Sequence, residues 1–294
     1  MPLDALPRET MIRTLRTASL FLLPLAACTK GDKVASFVDI PVVTVQATEE
    51  QGGSTSKITD AWVSVDERFI GVWELPAHVP VLAEGEHRIT VVPAIKRNGT
   101  FDDRLRYPFY NEWNGNAYLT KDATTSVQPV TSYLGASEFW VEPFSDPIGR
   151  LNVTADSDTL LLAPFMPDPE LDNTTCRGFV LDAAHPYIRL FTDEDFDVYG
   201  GPVFLELDYR TDVMLTVGVI YNYDGSAGTD AWVLVAPTLK SNGTMPWNKI
   251  YIDLSSAFNL AITQRDIYIE ARLPSGQASA TANIDNLKLL RLTP

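Results

Sequence analysis

The sequence predicts an all-β protein, a small antiparallel β-sandwich followed by a jelly-roll-like β-sandwich. Runs of alternating apolar and polar residues, rich in β-branched and aromatic side chains, recur along the chain with Gly, Pro, Asn and Asp between them. No stretch with the helical period exceeds about two turns, and 255–259 is the best candidate for a short helix. After residue 138, about eight such runs follow at regular spacing, which favours a sandwich over alternating strands and helices.

The first element is an apolar run, 18–25, that leads into Leu25-Ala26-Ala27-Cys28. Arg13 and Arg16 stand just before it. A cationic start, a short apolar core and small residues are the layout of a secretory signal. The run is about half the roughly 20 residues that a membrane-spanning helix needs, so a transmembrane anchor is disfavoured.

The end of this run resembles a bacterial lipobox, in which the cysteine is acylated and becomes the first mature residue. The resemblance implies a lipid on Cys28, a lipoprotein signal peptide over 1–27 and a polar tether over 28–36. Residues 1–10 look unlike the start of a signal, so Met11 is the expected start and the first ten residues an extension of the gene model. The implied location is the bacterial outer membrane, lipid-anchored, on its periplasmic or cell-surface face. A plain signal peptide with a coincidental cysteine stays open.

Composition limits the partners. The chain carries 23 basic and 38 acidic side chains, a net charge of −15. Binding to nucleic acid needs clustered Lys and Arg, so a nucleic-acid partner is not expected. The charge also argues against electrostatic attraction to anionic lipids. With 45% hydrophobic residues, the chain has enough apolar side chains for packed cores, so disorder is not expected.

The first β-sandwich is predicted over 37–137. It begins with a strand that bends at Pro41, because proline cannot donate to a central ladder. Residues 58–66 alternate and end in a tight turn at Asp66-Glu67-Arg68. Two more strands are expected, over 69–75 and 87–95, and a turn with an Asn98-Gly99 core is expected after them.

This run resembles a PEGA-type surface domain, over about forty residues. The resemblance implies an antiparallel β-sandwich with a structural or interaction role and no catalysis. The sequence departs from the family at Leu75-Pro76-Ala77, where a shorter Thr-Pro step is usual. The frame is carried by Val63, Val65, Asp66, Ile70, Gly71, Leu82, Gly85, His87, Ile89 and Val91.

Two features of the first unit have alternative interpretations. His87 is either a metal ligand or general base, or a side chain packed at a strand start. Packing is favoured because no second His or Cys stands at ligand spacing. The aromatic stretch 104–113 either stacks on sugar rings or closes the sandwich core. Core closure is favoured, because aromatic side chains bury large areas.

The second β-sandwich is predicted over 138–294. Its opening pattern, 138–146, which contains an E-x-F-x-D frame, and its closing order resemble carbohydrate-binding-module-like jelly rolls and related domains of secreted Bacteroidetes proteins. The closing order is W-x-K-x-Y-I-D-L, I-Y-I-E-A and I-D-N-L-K-L, at 247–254, 267–271 and 284–289. The resemblance implies the fold more strongly than a binding activity, because one fold hosts many functions.

A structural calcium near Glu142 and Asp285 is implied by this resemblance, since such modules often tie their first and last strands through an ion. No other cofactor is expected. The acidic run 193–197 also invites a calcium interpretation. A charged surface loop is favoured there, because the run lacks the glycine and the distal glutamate of an EF-hand loop.

The candidate glycan contacts are four residues of one predicted loop, Tyr221, Asn222, Tyr223 and Asp224. Sugar binding needs flat apolar faces beside groups that form hydrogen bonds, and this segment supplies both. Trp232 and Trp247 stand within strand patterns and are expected in the core.

Two modification signals remain. Asp158-Thr159-Leu160 resembles the O-glycosylation site of Bacteroidetes proteins, which makes Thr159 a candidate for that modification. Asn-x-Thr triplets begin at residues 98, 152, 173 and 242. With a bacterial lipobox, these triplets serve only as surface markers.

No enzyme is predicted. The chain has no nucleophile elbow, zinc helix or phosphate loop, and nothing pairs two carboxylates for glycoside hydrolysis. If Cys28 carries a lipid, Cys176 has no disulfide partner. A nucleophilic Cys176 would need a histidine as its base, and no histidine stands in a recognisable motif.

Two functions remain. The favoured one is a non-catalytic surface lipoprotein with a structural or protein-binding role, with an outer-membrane protein as partner. The alternative is a surface lipoprotein that binds a glycan through its jelly roll. An exposed aromatic strip beside amides and carboxylates would favour a glycan, whereas a polar surface with one exposed apolar patch would favour a protein.

Overall fold

A computed structural model of the chain describes residues 34–145, 148–163, 167–171, 174–223, 226–262 and 264–293, with the backbone alone at 222, 223, 226 and 227. The predicted signal peptide, the predicted lipid site at Cys28 and most of the tether lie outside these ranges and stay predictions. Within them, no helix is long and apolar enough to cross a membrane.

The described residues confirm the all-β prediction. They form twenty strands, and the short helix α1 (Ser255–Phe258) stands where the sequence predicts one. The strands are β1 (Ser36–Ile40), β2 (Thr44–Gln46), β3 (Asp60–Val65), β4 (Arg68–Glu74), β5 (Ala77–Val81), β6 (Gly85–Lys96), β7 (Arg104–Arg106), β8 (Trp113–Leu119), β9 (Thr124–Ser126), β10 (Val130–Ser132), β11 (Ser137–Glu142), β12 (Leu151–Val153), β13 (Arg177–Asp182), β14 (Tyr187–Thr192), β15 (Val203–Thr211), β16 (Leu215–Tyr223), β17 (Ser226–Val235), β18 (Asn248–Asp253), β19 (Arg265–Arg272) and β20 (Ser279–Leu292).

The bend predicted at Pro41 separates two short strands that belong to different sheets. β1 ends at Ile40 and pairs with β5 and β9. β2 begins at Thr44 and pairs with β10. Because proline has no N–H to donate, the ladder ends there and the chain passes to the next sheet.

The larger sheet of the first half has the order β4-β3-β6, with β7 and β8 both along the far edge of β6. In β3, Ala61, Val63 and Val65 alternate into a buried core, as the pattern predicts. The hairpin between β3 and β4 turns at Asp66 and Glu67, which have φ values of 47° and 66°. Such a turn matches the twist of the two strands, so the alternating residues stay on one face.

The second half is a β-sandwich of two five-stranded antiparallel sheets. One has the order β11-β20-β15-β18, with β13 also on β20, and the other has the order β12-β14-β19-β16-β17. β11 and β20 are neighbours, which gives the jelly-roll-like closure that the sequence predicts. The facing sides form one apolar core, whose members include Leu205, Leu207, Leu215, Val217, Ile269 and Leu289.

The sheet that contains β15 is buried on both faces. Leu205 and Leu207 point into the sandwich core, whereas Phe204 and Glu206, one position out of step, contact the first half. The first half therefore has its core against the back of this sheet. The residues of the back face that join that core are Phe204, Tyr251 and Leu290.

The aromatic stretch of the first half lies at this junction. Tyr107, Phe109 and Tyr110 are buried, which confirms that the stretch closes a core. The ring centroid of Tyr107 is 5.4 Å from that of Phe204 and 4.9 Å from that of Tyr251. These rings join the two halves of the chain through edge-on packing.

Candidate functional site

A cleft of about 830 Å³ lies where the first half meets β18. Its walls come from 55–59 and 96–99 in the first half, and from 234–240 and 246–251 in the second. Ligand pockets have such volumes and occur preferentially between domains. Its polar and aromatic lining includes Thr55, Lys57, Lys96, Asn98, Asp208, Tyr209, Lys240, Trp247, Asn248, Lys249 and Tyr251.

The predicted Asn-Gly turn places the first half against β18. Asn98 and Gly99 have φ values of 55° and 70°, as the two central residues of a type I′ turn require. The backbone N–H of Asn98 donates to the carbonyl of Tyr251 at 2.8 Å, and Asn98 Oδ1 accepts from the N–H of Asp253 at 2.8 Å. The Asn98 triplet thus lies at the surface, with the Asn98 side chain half-buried against the second half.

Trp247 presents a half-buried indole to the cleft. Its Nε1 donates to Asp168 Oδ2 at 3.0 Å, and this bond is the main cause of the lowered pKa of Asp168. The Arg210 guanidinium lies 4.8 Å from the ring centroid and 3.4 Å from the same carboxylate oxygen. Asp168 and Arg210 thus fix the ring and cover one of its faces.

The expectation that Trp247 belongs to the core is wrong. The residue stands immediately before β18, outside the alternation of the strand, and its ring turns to the cleft. Trp232 does pack against the sandwich core, and its Nε1 donates to the carbonyl of Asp253 at 2.7 Å. The two tryptophans differ because only Trp232 lies inside a strand.

Asn248 links the two halves at the floor of the cleft. Its Oδ1 accepts a hydrogen bond from Lys57 Nζ, and its Nδ2 donates to the Tyr209 hydroxyl at 2.7 Å. The backbone N–H of Lys57 donates to the Tyr251 hydroxyl at 3.0 Å. The floor therefore consists of amide and hydroxyl groups positioned by both halves.

A buried ionic layer lies beneath this floor, and we define it as Glu206, Asp208, Lys249 and Lys288. Lys249 Nζ is 3.1 Å from Glu206 Oε2 and 3.5 Å from Asp208 Oδ1. Lys288 stands opposite Glu206 in the neighbouring strand and donates to the carbonyl of Gly53 at 2.7 Å. Each of the four residues is 6% exposed or less.

Within the buried ionic layer, Glu206 and Lys249 keep each other ionised. Burial alone would raise the pKa of Glu206, but the ammonium groups of Lys249 and Lys288 and the hydroxyls of Tyr107 and Tyr133 lower it. Burial alone would lower the pKa of Lys249, but the carboxylates around it raise it. The layer therefore joins the two halves as paired charges, as a buried charge requires.

The predicted glycan contacts lie at the end of β16. Tyr221 is half-buried, and its ring covers Gly228 in the neighbouring strand, where an added Cβ would lie 2.8 Å from the ring. Tyr221 is not among the described residues that line the cleft. The backbone of Asn222 and Tyr223 belongs to β16, their side chains lie outside the description, and Asp224 lies outside the described residues. These contacts stay predictions.

The two carboxylates of the predicted calcium site already accept hydrogen bonds. Glu142 accepts from the N–H of Phe144 at 2.6 Å. Asp285 accepts from Thr174 Oγ1 at 2.5 Å and from the N–H of Asn286 at 2.7 Å, and burial raises its pKa to about 7. In the described ranges, no group of three or more His, Cys, Asp or Glu is arranged to hold a metal. Calcium at this pair stays a prediction.

Two further predicted residues have clear positions. Thr159 is half-buried between the exposed Asp158 and Leu160, and its modification stays a prediction. Cys176 is a buried free thiol, and burial raises its pKa to about 11. A thiol with a raised pKa is a poor nucleophile, which agrees with a structural role.

His87 makes local contacts of the kind that packing predicts. Its Nδ1 is 2.5 Å from Asp66 Oδ2, and its Nε2 is 3.1 Å from the carbonyl of Glu84. The hydrogen bond with Asp66 is the main cause that raises the pKa of His87. The ring thus ties the start of β6 to the β3–β4 turn.

A second candidate surface is the outer face of β4-β3-β6. The ring centroids of Trp62 and Phe69 are 5.6 Å apart, and the Arg106 guanidinium lies 5.0 Å from the Trp62 centroid. Phe69 is 54% exposed and Val72 is 44% exposed. Exposed apolar side chains grouped in this way suit contact with another protein.

Sequence reasoning missed the cleft because its residues come from separate segments. Lys57 and Asn248, which bond across the floor, are 191 positions apart. The Asn-Gly turn at 98–99 is the one local signal, and it predicts a hairpin without indicating which surface the hairpin contacts.

The comparisons with known proteins concern architecture. No protein-family model and no curated protein matches the chain. Among solved structures, the enzymatically active domain of tailspike protein 4 from bacteriophage CBA120 aligns over 50% of this chain and 20% of its own, at 11% identity and a TM-score of 0.35. The CBM22-1 and GH10 modules of Clostridium thermocellum xylanase 10B, complexed with xylohexaose, align over 51% of this chain and 27% of their own, at 8% identity and a TM-score of 0.36.

A family 29 carbohydrate-binding module from Piromyces equi aligns over 53% of this chain and 91% of its own, at 12% identity and a TM-score of 0.34. The chain spans 20% and 27% of the length of the first two structures. At such TM-scores, the similarity carries no argument about a ligand.

Proposed function

We propose that the chain is a non-catalytic glycan-binding lipoprotein, held at the bacterial outer membrane by a lipid on Cys28, and that the glycan lies in the cleft. One observation carries the proposal. A half-buried, fixed indole, Trp247, lies beside amide and hydroxyl groups in a cleft of about 830 Å³ between two β-structures.

The chemistry of this lining matches that of a sugar. A sugar ring has an apolar C–H face, which packs on an aromatic ring, and a rim of hydroxyls, which both donate and accept hydrogen bonds. Trp247 supplies the aromatic surface, and the face opposite Arg210 receives the sugar. Asn248 supplies an amide that keeps one N–H as a donor and one oxygen lone pair as an acceptor.

This proposal corrects the order of the two functions. The sequence favours a structural or protein-binding role because the aromatic residues fall on strand positions. Trp247 is an exception that favours glycan binding, because it stands before its strand and lines a cleft. The lipid on Cys28 would confine such a binding site to the membrane surface.

The first test is a glycan array probed with the mature body, residues 29–294. We expect binding to at least one glycan class, and a loss of about tenfold or more in affinity for Trp247→Ala, because the stacking surface is removed. Trp62→Ala is the matched control, since Trp62 is also half-buried but lies on the outer face of β3. Melting temperatures of both variants check folding. Loss of detergent partitioning in Cys28→Ser tests the lipid anchor separately.

Three outcomes would contradict the proposal. The absence of any glycan hit, together with a stoichiometric partner in a pull-down from solubilised outer membrane, would exclude glycan binding as the function. Unchanged binding by a folded Trp247→Ala would exclude the cleft as the site. Loss of binding in Trp62→Ala alone would move the site to the outer face.

A protein-binding role is the second candidate. The observation that favours it is the apolar group of Phe69, Val72 and Trp62 on the outer face of β4-β3-β6. A membrane partner captured by the mature body and lost in Phe69→Ser would support this role.

A further inference from the structure

The charges around the cleft differ in sign from those of the molecule as a whole. The chain carries a net charge of −15. Asp208 and Lys249 belong to the buried ionic layer and offset each other, so three ammonium groups face one exposed carboxylate. The charged residues in the described lining are Lys57, Lys96, Glu170, Asp208, Lys240 and Lys249.

Lys57 has a hydrogen-bond acceptor but no counter-ion. Its Nζ donates to Asn248 Oδ1, and in the part of the chain that the structure describes no carboxylate forms an ion pair with it. Burial, and then the positive charge of Lys96, lower the pKa of Lys57. The two ammonium groups are therefore close enough to repel each other, and an anion beside them would relieve that repulsion.

The other two lysines differ in their partners. Lys96 Nζ is 3.5 Å from Glu74, and Arg104, which also binds Glu74 at 3.2 Å, pairs with Asp60 as well, so these two cations face two carboxylates. Lys240 is exposed on the opposite wall, and it forms no ion pair with any described residue. Positive charge thus faces the cleft from both walls.

Three arginines on the sandwich, by contrast, form ion pairs with carboxylates. This pairing leaves little charge for a ligand. These pairs are Arg150 with Glu194, Arg189 with Glu270, and Arg291 with Glu138. The cleft differs from these surfaces because Lys57 and Lys240 have no carboxylate partner among the described residues.

We propose that the cleft selects saccharides that carry an anionic group, either a carboxylate or a sulfate ester. The anionic group lies beside Lys57 and Lys96, with Lys240 on the opposite wall, while the sugar ring packs on Trp247. This inference rests on the proposed function and names the ligand class of the same cleft.

The net negative charge of the chain does not oppose such binding at close range. Exposed charges farther apart than the Debye length, about 8 Å at physiological ionic strength, are largely screened. Inside the cleft, the nearest charges decide the interaction, and they are ammonium groups. The acidic surface elsewhere disfavours binding of the same polyanion outside the cleft.

The test uses matched pairs of ligands that differ only in charge. One pair is oligogalacturonate and its carboxyl-reduced form, and the other is a sulfated galactan oligosaccharide and its desulfated form. Titration calorimetry with the mature protein at low salt is expected to give about tenfold or tighter affinity for at least one charged member over its neutral counterpart. The ratio is expected to fall as the salt concentration rises. The ligand pair that shows this preference identifies the anionic group as a carboxylate or a sulfate ester.

The lysines are tested with Lys57→Met and Lys240→Met, which keep most of the apolar side chain. Each variant is expected to reduce the charged-to-neutral affinity ratio by about threefold or more. Lys240→Met is expected to change binding of the neutral sugar little, whereas Lys57→Met also removes the bond to Asn248, so its effect is taken from the ratio. Lys121→Met is the control, because Lys121 is exposed, pairs with Glu84 at 2.6 Å and lies outside the cleft. It is expected to leave the ratio unchanged.

Different outcomes would overturn the preference for anionic saccharides and the proposed glycan binding itself. Equal affinity for charged and neutral sugars, with binding lost in Trp247→Ala, would overturn the inference and leave the proposed function intact. A charge preference that survives both lysine variants would overturn the assignment to this cleft. The absence of binding to any saccharide on the array or in the calorimeter would overturn the proposed function, and the inference with it.

Discussion

At the residue scale, the most informative side chains are the four of the buried ionic layer. Glu206 and Asp208 alternate with leucines along β15, and such alternation normally indicates one apolar and one solvated face. Here the polar face is buried as well, and each charge stands opposite an opposite charge, Glu206 by Lys288 and Asp208 by Lys249. Removal of one partner would leave a buried charge without compensation.

We therefore expect Lys249→Met to lower the free energy of unfolding by about 3–5 kcal/mol, because Glu206 and Asp208 lose their shared ammonium. Lys121→Met removes an exposed lysine paired with Glu84 and should cost less than about 1 kcal/mol. Urea unfolding of both variants measures the difference. Similar small losses for the two would show that the layer contributes little net stability.

At the element scale, the pairing of β16 with β19 depends on a glycine. Gly218 lies opposite Tyr268, whose ring covers it. A Cβ at this position would lie 2.1 Å from the carbonyl oxygen of Asp230 and 2.6 Å from the Tyr268 ring. The close approach of three strands therefore leaves no room for any side chain.

Gly218→Ala is expected to destabilise the protein by about 1–3 kcal/mol, because the sheet must open to accept the methyl group. Gly135→Ala is the matched control: its added Cβ would meet nothing within 4 Å, so its effect should stay within about 0.5 kcal/mol. Thermal unfolding of the two variants gives the comparison. A Gly218→Ala protein as stable as the control would contradict the close packing described here.

At the scale of the whole molecule, one sheet carries a core on each face. The sandwich core lies on one side of β15, β18 and β20, and the core of the first half lies on the other. Unfolding of either half would expose the apolar and charged residues of the shared sheet. The two halves are thus coupled through burial of the same strands.

The full chain is expected to unfold in one cooperative transition. Far-ultraviolet circular dichroism, which follows the strands, and tryptophan fluorescence, which follows the packing, should give the same denaturant midpoint. In Lys249→Met, the two midpoints should move together. Two separated transitions would show that the halves fold independently.

The sequence by itself determines the strands, the β3–β4 and Asn98-Gly99 turns and the sandwich class of the second half, because alternation and turn residues are local signals. It also predicts the burial of Tyr107, Phe109 and Tyr110, since large aromatic side chains gain most from burial. The predicted location at the outer membrane rests on the sequence alone, through Cys28, and stays a prediction. Its predicted glycan contacts at 221–224 and the calcium pair stay predictions.

Only the tertiary structure decides that the polar face of β15 is buried and that Trp247 lines a cleft rather than a core. It also brings Lys57, Lys96 and Lys240 to the same cleft. The reason is physical: alternation along a strand separates its two faces but carries no information about what covers each face. Side chains brought together from distant segments leave no periodic pattern in the chain, so the cleft emerges only when the two halves pack against the shared sheet.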